Sequence, residues 1–189
     1  RGAAYDKLDQ YPKADVDNAK ACSLDRKYCP TALNLEPLTP TLSVYTSEIG
    51  RYTVEIPTVF EVSSLSLDVV EFRQELANGS VASLTIKVEP LKVDVTTKEF
   101  ADNKIVDGLK QRFDSYNLVS LTVITVAGNE AWKAMNTLKR TTDTNTRKGN
   151  GYFFAANGLG YSIYSESDTS EWSSMEPIFN QVIQSLTLD

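Results

Sequence analysis

The strongest local constraint on the fold is a pair of alternating runs joined by Asn78-Gly79. Val70, Phe72 and Leu76 fall at even spacing before it, and Ala82, Leu84, Ile86 and Val88 alternate with Ser83, Thr85 and Lys87 after it. Period-2 alternation puts apolar side chains on one face of a strand. Asn-Gly supplies two residues that tolerate positive φ, so the two runs form a tight antiparallel hairpin. Asn78-Gly79-Ser80 is also a formal glycosylation sequon, although a turn explains it without sugar.

The same reading extends along the chain. Tyr52, Val54 and Ile56 interleave with polar residues and stop at Pro57, as a half-buried strand does. After Val95 the period changes to that of a helix: Thr97 reads as its N-cap, and Ala101, Ile105, Leu109 and Phe113 stack at i, i+4 with Val106 beside them. The run Leu118 to Val126 is apolar on both faces, which predicts a central strand. Gly128-Asn129 turns into Glu130–Arg140, where Trp132, Ala134 and Leu138 keep period 2. A polar loop, Thr141 to Asn150, leads to Tyr152–Ala156, and Asn157-Gly158-Leu159-Gly160 turns into Tyr161–Ser165. Trp172, Met175, Phe179, Val182, Ile183 and Leu186 then form one stripe of a C-terminal helix, with Pro177 near its first turn.

Strands joined by tight turns pair antiparallel, and two helices with one apolar stripe each must cover a sheet. The expected class is α+β: a single antiparallel β-sheet covered by helices. Residues 1–47 read differently. Pro12, Pro30, Pro37 and Pro40 break any long element, and no period is sustained. They are expected to form an extended N-terminal arm, with a short helix near Asp15 to Ala21, ahead of a domain spanning 48–189.

Composition narrows the chemistry. The 189 residues include no histidine, which removes Ser-His-Asp and Cys-His nucleophile systems, imidazole metal sites and imidazole pH switching. Lys and Arg total 19 against 25 Asp and Glu, a net charge of −6, so neither nucleic acid nor anionic lipid is an expected partner. No run approaches the roughly 20 apolar residues of a membrane span. Gly149-Asn150-Gly151 and Gly158-Leu159-Gly160 precede strands rather than helices, so they are read as hairpin turns and not phosphate loops.

The acidic pairs Asp15/Asp17, Asp94/Glu99 and Asp102/Asp107 fall in the arm or on an exposed helix face, where solvation explains them better than acid–base work. Asp15, Asp17 and Asn18 could offer oxygens to a weak calcium ion, but the glycine-pivoted ligand ladder of an EF-hand is lacking. No metal or cofactor is therefore expected. Tyr152, Phe153, Phe154, Tyr161 and Tyr164 would make a base-stacking platform only with more positive charge than Arg140, Arg147 and Lys148 supply; cross-strand packing is the simpler reading.

Cys22 and Cys29 are either a redox pair or a local disulfide clipping the arm. Their spacing is not Cys-x-x-Cys, which favours the disulfide and an oxidising compartment. The chain opens with Arg1 rather than Met, and the expectation is a processed product that works outside the cytosol.

The block from Gly151-Tyr152-Phe153-Phe154 through Asn157-Gly158-Leu159-Gly160-Tyr161, then Glu171-Trp172, then Phe179, Val182 and Ser185-Leu186, resembles the ending of PsbP-domain proteins. Gly50-Arg51-Tyr52-Thr53-Val54-Glu55-Ile56-Pro57 is similar to that family's opening Gly-aromatic-x-apolar-x-apolar-Pro strand, and the helix beginning near Glu99 sits where the family places one. The likeness spans roughly residues 48 to 189. It departs at Thr58-Val59-Phe60, where the family has a Trp, and at the family's histidines, which have no counterpart.

The resemblance implies an α-β-α sandwich. It also implies a non-enzymatic extrinsic subunit or assembly factor on the lumenal side of a photosynthetic complex such as photosystem II, in the thylakoid lumen. The alternative is a bacterial periplasmic or surface domain that recognises a small ligand or an envelope partner. In the first reading the arm docks on a membrane-protein complex, and Tyr5, Lys7, Tyr11 and Lys13 are the expected contacts.

Overall fold

The computed structural model describes residues 41–105, 115–139 and 145–189, all within the unit Pro40–Asp189. Its elements run β1 (Leu42–Ser47), β2 (Tyr52–Pro57), β3 (Glu61–Ser66), β4 (Val69–Glu75), β5 (Val81–Pro90), α1 (Thr97–Asn103), β6 (Ser115–Val126), β7 (Asn129–Lys139), β8 (Arg147–Ala156), β9 (Leu159–Asp168), α2 (Trp172–Ser185) and β10 (Thr187–Leu188).

The strands form two sheets, not the single sheet expected. Seven strands in the order β3-β4-β5-β9-β8-β7-β6 make the large one, and β1-β2-β10 make a small one. β1, Leu42–Ser47, falls within the stretch 1–47 read from the sequence as arm, and its pairing with β2 supplies the period that its own residues do not show. Every pairing is antiparallel. Alternation identifies a strand but not its neighbour, and β2 finds its second partner only when the chain returns after α2 to set Thr187 opposite Thr53.

The small sheet and α2 cover one face of the large sheet. Tyr52, Val54 and Ile56 meet Val70, Phe72, Leu84, Ile86, Tyr152, Phe154, Tyr161 and Ile163, together with Trp172, Met175, Phe179, Val182 and Ile183 of α2. Fully burying a side chain of this kind contributes about 1.5–3 kcal/mol. The other face carries α1, whose Phe100 and Ala101, with Ile105 just past it, pack on Ala134 and Phe153. The α-β-α layering implied by the resemblance is therefore present.

The hairpin at Asn78-Gly79 forms, but only Gly79 has positive φ, at 78°. Gly79 N–H donates to Leu76 O at 2.8 Å, and Leu76 N–H to Ser80 O at 2.8 Å. This is the longer turn with a left-handed glycine, fixed by Asn78 Oδ1 accepting from Ser80 N–H at 2.9 Å. Two successive positive φ values occur instead at Asn157-Gly158 and Ala127-Gly128.

The N-cap of α1 is Thr96 rather than Thr97, because only Thr96 has a glutamate three residues on to complete the capping box with Glu99. The rest of that helical stripe, residues 106–114, lies outside the described residues. Gly149, Gly151 and Gly160 sit inside strands β8 and β9 rather than in turns. Pro177 is within α2, past the first turn. The predicted central strand is instead the edge strand β6: two-sided apolarity records side-chain type, while position in the sheet depends on what lies beyond the strand.

Candidate functional site

Most of the described carboxylates are already used. Glu99 accepts from Thr96 N–H at 3.0 Å in the capping box, Asp102 pairs with Lys98, and Glu89 pairs with Lys104 at 2.6 Å. Glu166 lies 3.5 Å from Arg147. Among the described residues no three His, Cys, Asp or Glu side chains come together as metal ligands.

A polar network joins β8 to α2. Tyr152 donates its hydroxyl to Asn180 Oδ1 at 3.2 Å, and Trp172 donates its indole N–H to Glu176 at 3.0 Å. The Lys133 ammonium lies 5.6 Å from the centroid of the Tyr152 ring. Burial pushes the Tyr152 phenol up to about 12, so it remains a protonated donor and cannot act as a base near neutrality.

Among the described residues, an open cleft of about 530 Å³ has the shape of a binding site. That lies within the range of small-ligand sites. One wall is the end of β1 and the turn into β2, Tyr45 to Gly50; the other is Ser66 to Val70 around the β3–β4 turn. Tyr52 and Val88 complete the lining.

Three hydrogen bonds fix these walls. Ser47 Oγ accepts from Gly50 N–H at 3.0 Å, Tyr161 donates its hydroxyl to Gly50 O at 2.8 Å, and Val88 N–H donates to Asp68 O at 2.9 Å. Tyr45 stands edge-on to Phe72, ring centroids 5.2 Å apart, and tilted against Tyr52 at 6.2 Å.

Two carboxylates, Glu48 and Asp68, are in the lining, and no lysine or arginine is. The Ser66 hydroxyl donates to Asp68 at 2.6 Å and, with the Lys87 ammonium outside the lining adding to the effect, holds its carboxyl below the usual carboxylate range, so Asp68 stays charged. Burial pushes the Tyr52 phenol up, with Tyr45 adding to the effect, so the floor is neutral. Ile49 and Leu67 stand exposed at the mouth. The cleft can take an apolar body bearing a positive group, and it disfavours an anion.

The sequence did not single out this cleft. Its walls come from two turns that approach only through sheet packing, and the local signal is an apolar residue, Leu67, set between Ser66 and Asp68 in a turn. The residues that sequence reasoning did favour, Tyr5, Lys7, Tyr11 and Lys13, lie outside the described residues, as do Asp15, Asp17, Asn18 and the expected Cys22–Cys29 disulfide. Of the aromatic hairpin, Tyr152, Phe153, Phe154 and Tyr161 are buried. Phe154 and Tyr161, direct cross-strand partners, stack at 4.7 Å. These rings are core packing and present no face to a base.

No family model matches the chain, and no curated protein matches it. Solved structures do. The cyanobacterial PsbP (CyanoP) of Synechocystis aligns at a TM-score of 0.59 with 15% identity, over 79% of this chain and 94% of that one. The chain has the PsbP fold. Two bacterial proteins align on the same PsbP fold. PA94 of Pseudomonas aeruginosa does so at 0.56 and 14% identity, over 78% of this chain and 97% of its own. LpqN of Mycobacterium tuberculosis, involved in cell envelope biogenesis, does so at 0.56 and 11%, over 78% and 90%. No helix among the described residues is long and apolar enough to cross a membrane.

Proposed function

We propose that this chain is a non-enzymatic binding protein of an extracytoplasmic compartment, an extrinsic subunit or assembly factor that docks on the lumenal side of a photosynthetic complex. The observation that carries this reading is the cleft, with Glu48 and Asp68 over a floor of Tyr45, Tyr52, Val70 and Val88 and no cation in its lining. A partner surface that offers a lysine or arginine among apolar neighbours complements it in both charge and shape. The fold shared with a cyanobacterial PsbP supports the photosynthetic setting. In this reading Tyr5, Lys7, Tyr11 and Lys13 of the arm add contacts of their own, and removing residues 1–21 abolishes docking while the domain stays folded.

A second reading, a periplasmic or surface domain that holds a small ligand or an envelope partner, draws on the volume of the same cleft and on the likeness to LpqN. One experiment separates the two. The full chain is used as bait on solubilised membranes of the source organism and eluted with rising salt, beside a Glu48→Gln/Asp68→Asn variant. Recovery of photosystem subunits by the wild type, with earlier elution from the variant, is the expected result. Recovery of envelope proteins instead establishes the second reading, and recovery of nothing overturns docking.

A further inference from the structure

β7 pairs with β6 from Val126 back to Ser115, and among the described residues no strand lies on the far side of β6. Among the described residues, its outer rim therefore presents an unpaired row of backbone N–H and C=O groups. Soluble proteins usually blunt such a rim with charge, proline, a bulge or shortness. The opposite edge follows that rule: β3 has 6 residues, includes Glu61, and shifts register between Ser64 and Ser66. β6 does not. It has 12 residues without a single Asp, Glu, Lys, Arg or Pro, and it is regular from Ser120 to Val126 after one register shift at its Leu118/Ser120 end. Its side chains are also open to solvent, with Val119 54%, Val123 53%, Leu118 39% and Leu121 38% exposed.

We propose that β6 is a self-association edge, at which two copies of this chain pair their β6 strands antiparallel about a twofold axis and join their large sheets into one. Only an extended strand matches a row of alternating donors and acceptors, and β6 complements itself. A register centred on Val123 sets Val123 against Val123, Leu121 against Thr125, Thr122 against Ile124 and Ser120 against Val126. Residues of like parity then oppose, so the side-chain faces agree and the outward-facing peptide groups of the two strands meet. Such pairing makes about one hydrogen bond per residue.

Charge favours a second copy over a charged partner strand. At a twofold seam every charged side chain lies near its own counterpart and repels it, which in a chain of net charge −6 disfavours most self-contacts. Among the described strands of ten or more residues, β6 is the one that carries no charge to repel. A charged partner strand would gain no ion pair from it.

The test is sedimentation of the full chain at micromolar and near-millimolar concentration, with hydrogen exchange of the β6 amides at both. The expected result is a dimer that grows with concentration, with amides between Ser120 and Val126 exchanging more slowly at the higher one. Val123→Lys, at a half-exposed position, sets two ammonium groups face to face and weakens the dimer by roughly tenfold or more. Circular dichroism of the variant checks its fold, and the wild-type exchange data decide the matter if the variant misfolds. A monomer at every concentration overturns the proposal, as does a dimer whose β6 amides gain no protection.

Discussion

Ser185 shows how much one side chain can do that its neighbours in sequence do not reveal. Its hydroxyl accepts from Glu55 N–H at 2.9 Å, across a separation of 130 residues, and donates to Val182 O at 2.8 Å. The last turn of α2 is thereby fastened to the middle of β2. Ser185→Ala leaves an exposed backbone donor to water and removes one tie. Its expected cost is about 1 kcal/mol, read as a lower urea midpoint with an unchanged slope. The Ser185-Leu186 pair was visible as a pattern at the end of a helical stripe, but its partner was not, because nothing local to Glu55 marks it. Thr96 and Thr97 make the complementary point. Both are good caps by type, and the sequence decides between them only when Glu99 is counted from each.

At the scale of elements, α1 is seated by the absence of a side chain. Gly160 lies in β9 beneath Phe100, and a Cβ there would fall 2.5 Å from the Phe100 ring and 2.9 Å from Leu91. Phe100 is only 3% exposed and cannot swing away. Gly160→Ala therefore lifts α1 from the sheet. The expected destabilisation is about 1–3 kcal/mol, measured by denaturant unfolding, with amide exchange quickening first in residues 97–105. In sequence this glycine reads as part of a turn, since Asn157-Gly158-Leu159-Gly160 is rich in turn formers. Only Asn157 and Gly158 have positive φ. Leu159 and Gly160 already belong to the strand, where what matters about glycine is its size.

For the molecule as a whole, the buried tyrosines set the response to alkaline pH. Burial raises the phenols of Tyr52, Tyr152, Tyr161 and Tyr116, Tyr152 to about 12. A group with a raised folded pKa binds its proton more tightly in the native state. The stability it contributes is complete below the unfolded value near 10 and is lost as pH rises from there through the folded value. The urea midpoint should accordingly fall steeply above about pH 10, and Tyr152→Phe should make that fall shallower. A midpoint that is flat through this range in the wild type would show that these phenols are solvated.

The sequence by itself determined the vocabulary of this protein. The strands at Tyr52–Pro57 and on either side of Asn78-Gly79, the turn at Asn157-Gly158 and the stripe from Trp172 to Leu186 were all legible. So was the antiparallel habit of strands joined by short turns. Each depends on spacings within a few residues, where backbone geometry alone fixes which side chains share a face. Tertiary structure decided the grammar: that β2 leaves the large sheet to pair with β1 and β10, that β6 is an edge, and that Glu48 and Asp68 face one cleft. Those outcomes depend on which distant surfaces bury each other best, and a strand's own alternation is the same whichever neighbour it takes.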